Sequence, residues 1–433
     1  MKILVLNSGS SSEKSSLYEF GPDATHEDAS GKAGAPTEPL WAGNIEWSGN
    51  EEQPAQMRVR TSQGASIEKR LNLKSRKQAI NELLETLWSG STSVIGAPKE
   101  IDAVGHRVVH GGQKYKQPTI VTPDVKSAIA EFAFVAPLHN RAELAGMDLV
   151  DERFGALLQV AVFDTAFHSQ MPDWAAVYPG PYEWLAEGIR RYGFHGINHQ
   201  YCSERAAQIL TKDLSSLKIV TCHLGNGCSL AAIRDGRSVD TTMGFTPLEG
   251  LMMGTRCGSV DPGILTYLAS MRGMSGQRMD ELLNTKSGLL GVSGLSSDMR
   301  EIEKAMENGN ARAKLAFEIF VHRLRSGIGA MVAVLGGVDA IVFTAGIGEH
   351  SSQVRTAACA NLAYLGLKLD PAKNERAGPD ADIASTDSAV RVLVIRAQED
   401  WAIARECVRI AQRNESRVVS EQAKGLNAQT KTI

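Results

Sequence analysis

No residue type dominates this chain, and several scarcities narrow what it can be. Only six cysteines are present, Cys202, Cys222, Cys228, Cys257, Cys359 and Cys407. They are scattered and form no CxxC pair, which argues against a disulfide framework or a zinc site and for a reducing, cytoplasmic setting. Neither sign of charge prevails: 46 basic residues face 49 acidic ones, for a net −3. That balance excludes the basic footprint of a nucleic-acid binder. Long apolar runs are missing too. The longest, Ile328 to Val338, is broken by Gly329, Gly336 and Gly337 and stops at Asp339, well short of the ~20 residues that span a bilayer. The opening stretch Ile3 to Leu6 is too brief for a signal peptide. No membrane role and no nucleic-acid partner are expected.

What is present reads as α/β. With 433 residues, two domains of ordinary size are expected. Short apolar strands are expected at Ile3 to Leu6, Ile101 to His110, Leu157 to Phe163, Leu217 to Thr221, Ala340 to Thr344 and Arg391 to Ile395. Helical spacing marks Ser75 to Trp88 and Asp400 to Gln412. Two strand–turn–strand units share one pattern, ILVLNSGSSSEKSSLYEF near the start and IVTCHLGNGCSLAAIRDG from Ile219, which suggests two halves of related design. The segment from Gly21 to Gly64 is rich in Gly, Pro, Ala and Glu and reads as a peripheral insertion or a loose hairpin. The polar tail from Asn414 is expected to be mobile.

Three small-residue turns follow strands. Asn7-Ser8-Gly9-Ser10-Ser11-Ser12-Glu13-Lys14 can turn N–H groups and hydroxyls toward phosphate oxygens. It is not a Walker loop, because Glu13 stands where that motif needs glycine, and a polar hairpin turn is the alternative. His223-Leu224-Gly225-Asn226-Gly227 repeats the design. Phe343-Thr-Ala-Gly346-Ile347-Gly348-Glu349-His350 places glycines ahead of a helix expected from about Ser351. Each alone is equally a plain turn.

Among charged groups, Asp164 ends an apolar strand, Arg107 lies in VGHRVVHGG and Arg256 lies in GLMMGTRCGSVDPG. A carboxylate substrate and a transferring phosphoryl group both need fixed cations, and arginine's planar fork suits them. A structural ion pair is the alternative. His195 and His199, at i, i+4, and His106 and His110 have spacing that could serve a metal. Without the HExxH glutamate, structural histidines are the expectation.

Taken together, NSGSSSEK, GHRVVHGG, APLHN, FDTAFH, YGFHG, HLGNGCS, DTTMGFTPLEGLMMGTRCGSVDPG and AGIGEH resemble the acetate kinase family over nearly the whole chain. The resemblance implies an α/β protein with two related domains of the sugar kinase/Hsp70/actin, ribonuclease H-like type around a nucleotide cleft. The expected domains are 1–166 completed by 401–433, and 167–400 for the nucleotide. It implies reversible phosphoryl transfer from ATP to acetate with Mg²⁺ or Mn²⁺, and a homodimer. By that similarity Asn7 and Glu399 bind the metal and Lys14 meets the ATP phosphates. His223, Leu224, Gly225, Asn226, Gly227, Asp298, Met299, Arg300, Gly346, Ile347, Gly348, Glu349 and His350 line the nucleotide site. Arg107 holds the substrate carboxylate, with Val109, Leu138 and Pro247 around its methyl group. Asp164, His195 and Arg256 are the catalytic set. Propionate kinase and a non-catalytic nucleotide-gated binding protein are the alternatives. The chain departs from the family pattern at Arg141-Ala142-Glu143, where Pro-Ala-Asn is usual, at Ser15, at His350 and at Arg396-Ala397-Gln398.

Overall fold

A computed structural model describes residues 1–9, 12–21, 36–47, 55–72, 75–132 and 137–429, without the side chains of 137–139 and 415–429. Ser10 and Ser11 of the first turn, and the side chain of Leu138, therefore lie outside the described residues. The chain forms two compact units, Met1–Ala166 with Gln398–Ile433, and Phe167–Ala397.

Among the described residues the first unit holds eight strands: β1 (Lys2–Ser8), β2 (Ser12–Glu19), β3 (Trp41–Glu46), β4 (Ala55–Thr61), β5 (Ser66–Leu71), β6 (Ala103–Val108), β7 (Thr119–Ile120) and β8 (Leu158–Phe163). They run in the order β5-β4-β3-β2-β1-β6-β8-β7. β1, β6 and β8 are parallel neighbours, and β2 returns antiparallel to β1. The apolar runs of β1, β6 and β8 are buried because helices cover them, as a parallel sheet requires. One cover is the helix Glu399–Gln429, which seats on β6 at Gly105. A Cβ there would lie 2.6 Å from Ile403 Cγ2 and 2.7 Å from Cys407 Sγ, so only glycine lets the helix come this close.

The second unit holds β9 (Lys218–Leu224), β10 (Cys228–Arg234), β11 (Arg237–Thr241), β12 (Ala340–Thr344), β13 (Ala381–Asp382) and β14 (Arg391–Val394), in the order β11-β10-β9-β12-β14-β13. β9, β12 and β14 are parallel, and β10 returns antiparallel to β9. Both sheets thus carry the same motif: an antiparallel hairpin, a further antiparallel strand beside it, and two parallel strands on the other flank. The two half-patterns seen in the sequence are these two hairpins.

Three expectations are corrected. Trp41–Glu46 and Ala55–Thr61 do pair antiparallel as a hairpin, but it is neither loose nor a peripheral insertion. They are β3 and β4 of the main sheet, alternately burying Trp41, Ile45, Met57 and Val59. The C-terminal helix does not stop at Gln412 but continues to Gln429. The stretch Ala345–His350 is already helical, ahead of a second helix at Ser352–Cys359. Its glycines therefore lie within a helix and not in a turn ahead of one.

Candidate active site

In the first unit the parallel strands β1, β6 and β8 end side by side, where open α/β sheets place functional groups. Asn7 comes from β1, Arg107 from β6, and Asp164 follows β8. Arg107 donates through Nη2 to Asp164 Oδ2 at 2.6 Å, through Nε to Oδ1 at 3.3 Å, and through Nη1 to Asn7 Oδ1 at 3.2 Å. Asp164 is 1% exposed. Burial opposes the charge of Arg107, but Asp164 and Glu399 outweigh it and push the guanidinium's proton affinity up. Asn7 also donates to Asp400, which accepts a second hydrogen bond from Ser16. Lys14 is exposed and faces Asn7 across the β1–β2 ladder.

The next residues of the Arg107 segment are held from behind. Val109 N–H donates to Glu143 Oε1 at 3.1 Å. Glu143 is 2% exposed, and its Oε2 has no partner among the described residues. Burial pushes this carboxyl up to about 8. His110 accepts from Gly112 N–H and stacks on Phe132, and burial lowers it to about 4. It is structural, as is His106 on Gln159.

In the second unit, β9 delivers His223 and Leu224 into the turn Gly225–Gly227, closed by Gly225 N–H to Gly227 O at 3.0 Å. A Cβ on Gly227 would sit 3.3 Å from both Arg256 Nη1 and His195 Nε2. Those two nitrogens therefore converge on one side of that turn. Arg256 is anchored by donation to the Pro247 carbonyl at 3.1 Å. His195 is the left-handed residue (φ 57°) that opens the helix Gly196–Leu210, and it stacks on His223 with centroids 3.9 Å apart.

The other nucleotide candidates gather around the same turn. Gly254 N–H donates to Asn226 O, and a Cβ on Gly254 would meet Asn226 Oδ1 and the Ser297 carbonyl. This brings the turn beside Asp298, which caps the helix Met299–Glu307 and pairs with the exposed Arg300. Gly348 abuts Cys222 and Leu224, placing Gly346, Ile347, Glu349 and His350 beside the end of β9.

Several residues escaped sequence reasoning. Arg355, 2% exposed, donates to the Gly348 and Glu349 carbonyls and to Asn374, pinning the short glycine-containing helix. Asn198 reaches His223, and Ser229 joins His195 to His199. Glu143 had a signal, an acidic residue where the family usually has asparagine. The others had none, because their partners are distant in sequence.

Among the described residues no group of three His, Cys, Asp or Glu could by itself hold a metal. Mg²⁺ does not require one, since it keeps waters and substrate phosphates and takes one or two protein oxygens. The Asn7 amide oxygen and the Glu399 carboxylate are hard donors, and both act on the same Arg107 guanidinium. Hard oxygens of this kind are the donors Mg²⁺ takes.

Two sheets of one design, with an arginine–carboxylate pair at the strand ends of one and a glycine turn at those of the other, make an α/β architecture suited to phosphoryl transfer. Comparison with known proteins agrees. A solved acetate kinase from Porphyromonas gingivalis superposes with a TM-score of 0.85 at 39% identity, covering 95% of this chain and 99% of that one. A propionate kinase from Francisella tularensis gives 0.83 at 38%, covering 94% and 98%. The curated acetate kinase of Gloeobacter violaceus is 57% identical over 408 residues, 94% of this chain and 98% of the relative. The family model described as the acetokinase family matches residues 2–405, and the chain belongs to that family. No helix among the described residues is long and apolar enough to cross a membrane.

Proposed function

We propose that the protein is an acetate kinase, catalysing ATP + acetate ⇌ ADP + acetyl phosphate. The observation that carries this is the convergence of Arg256 Nη1 and His195 Nε2 on the Gly227 turn. Two side-chain nitrogens this close to one glycine backbone suit the equatorial oxygens of a transferring phosphoryl group. Acetate is already ionised at neutral pH and attacks without a general base, so alignment and charge neutralisation do most of the catalysis.

The first unit supplies the acid site. Arg107 binds the acetate carboxylate, and Val109 lines the pocket for its methyl group. Asp164 orients Arg107 rather than removing a proton. Asn7 and Glu399 would hold Mg²⁺, which when bound offsets charge on the ATP phosphates. Lys14 adds a further cation toward those phosphates. The second unit supplies the nucleotide site: the His223–Gly227 turn, Asp298 to Arg300, and the helical stretch Gly346 to His350.

Curated relatives named acetate kinase, 53–57% identical over 94–96% of this chain, favour acetate. The propionate kinase structure keeps propionate as the second reading. ATP-dependent acyl hydroxamate formation with acetate, propionate and butyrate in parallel tests both. No acyl phosphate from any acid overturns the enzyme, and a higher kcat/KM for propionate overturns acetate. A cytoplasmic setting is supported by six free thiols, five of them buried. A homodimer is supported by Ile264, Tyr267 and Met271, exposed by 46, 53 and 70% along the helix Pro262–Arg272. Sedimentation that gives a monomer removes it.

A further inference from the structure

Behind His195 lies a file of buried polar groups: Thr221 on β9, His199 on the helix Gly196–Leu210, and Ser229 on β10. All three are 0% exposed. Thr221 Oγ1 lies 2.6 Å from His199 Nδ1, His199 Nε2 lies 2.7 Å from Ser229 Oγ, and Ser229 Oγ lies 2.9 Å from His195 Nδ1. Thr221 and Ser229 make no other side-chain hydrogen bond among the described residues.

These distances leave two continuous senses for the protons, since a mixed state with both imidazoles donating to Ser229 would bury the Ser229 proton with nothing to accept it. Each hydroxyl has one proton, and a neutral imidazole has one N–H and one lone pair. His199 is neutral at physiological pH, because burial, with His168 and His223 beside it, holds it well below the usual histidine range. In the first sense Thr221 donates to His199 Nδ1, His199 Nε2–H donates to Ser229, and Ser229 donates to His195 Nδ1. Every proton then has an acceptor. In the reverse sense the chain ends on Thr221, whose hydroxyl proton is buried with nothing to accept it. Native structures avoid that arrangement.

We propose that Thr221, His199 and Ser229 are a one-way hydrogen-bond relay that fixes His195 as the Nε2–H tautomer. They are positioning residues for His195. The inference deepens the phosphoryl-transfer reading and rests on it for its purpose, though not for its geometry. With the proton on Nε2, His195 points a donor to the place beside Gly227 that Arg256 Nη1 also faces. The other tautomer would put a lone pair there, against the oxygens of a phosphoryl group. The stacked neighbour follows the same rule, since Asn198 Nδ2 donates to His223 Nδ1 and leaves the His223 proton for Nε2.

The test is two-bond ¹⁵N–¹H NMR on full-length protein labelled at histidine nitrogens, with His195→Gln to identify the His195 signals. Wild type should show a pyridine-type Nδ1 and a pyrrole-type Nε2–H at His195. Thr221→Ser keeps the hydroxyl and should keep the pattern. Thr221→Val is nearly isosteric and should give a mixture of tautomers. Its kcat should fall about tenfold, short of the ~10²-fold or more that losing a transition-state donor outright costs, with little change in either KM. Ser229→Ala cuts the relay at the next joint and should act alike, should Thr221→Val not fold. An Nδ1–H pattern in wild type, or an unaltered tautomer in Thr221→Val and Ser229→Ala, overturns the relay. A shifted tautomer with unchanged kcat upholds the relay and instead removes His195 from the phosphoryl site.

Discussion

Arg107 and Asp164 form a two-point ion pair, Nη2 to Oδ2 at 2.6 Å and Nε to Oδ1 at 3.3 Å, with the carboxylate 1% exposed. The arginine proposed to bind acetate is thus already oriented by a buried carboxylate, and removing either partner takes from the other a buried counter-charge. Arg107→Ala should raise the KM for acetate far more than that for ATP. It should also lower Tm, since breaking a buried pair on one side costs about 3–5 kcal/mol. Adding Asp164→Asn should recover much of that Tm and none of the acetate affinity. Equal rises in both KM values would make Arg107 structural. Asp164→Asn alone should lose most turnover, by about 10²-fold. Near-normal kcat at every Mg²⁺ concentration would sink its role.

Arg256 is placed by the Pro247 carbonyl and faces the Gly227 turn. Arg256→Ala should cut kcat by about 10³-fold, as for other arginines that offset phosphoryl charge. Circular dichroism and ATP binding should stay close to wild type. A variant retaining over about a tenth of normal kcat contradicts the assignment.

Glu143 makes the stability depend on pH in a defined direction. Its native carboxyl keeps a proton to about pH 8, against 4.5 for an ordinary one. Across that window the native state binds more protons than the unfolded chain, so this group's contribution is lost as pH rises. Glu143→Gln retains an acceptor for Val109 N–H and cannot ionise. Its Tm relative to wild type should rise by a few degrees between roughly pH 5 and roughly pH 9. A constant difference, measured by differential scanning calorimetry, would show that Glu143 does not change charge on unfolding there.

Val109 follows Arg107 by two residues and is 4% exposed. Val109→Ala should enlarge the methyl pocket and move the acetate-to-propionate ratio of kcat/KM toward propionate by roughly tenfold, within the range one methylene commands. An unchanged ratio takes Val109 out of the pocket.

The sequence by itself determined the strands that run nearly uninterrupted in apolar residues, because burial on both faces leaves a contiguous signal. β1, β6, β8, β9, β12 and β14 were legible within a few residues. So were the turns after them, and Asn7, Arg107, Asp164, His195 and Arg256 could be proposed as candidates because they lie in compact local motifs. β3 and β4 were not legible, since they flank segments rich in turn-forming residues and are strands only by pairing with β2 and β5. Tertiary structure alone decided the partners. Arg107 to Asp164 spans 57 positions, Asn7 to Asp400 spans 393, and Ser229 to His195 spans 34. A buried charge or hydroxyl must find its complement wherever the sheet order delivers one, and no local pattern records that choice. Glu143, Arg355 and the Thr221–His199–Ser229 file are products of that constraint.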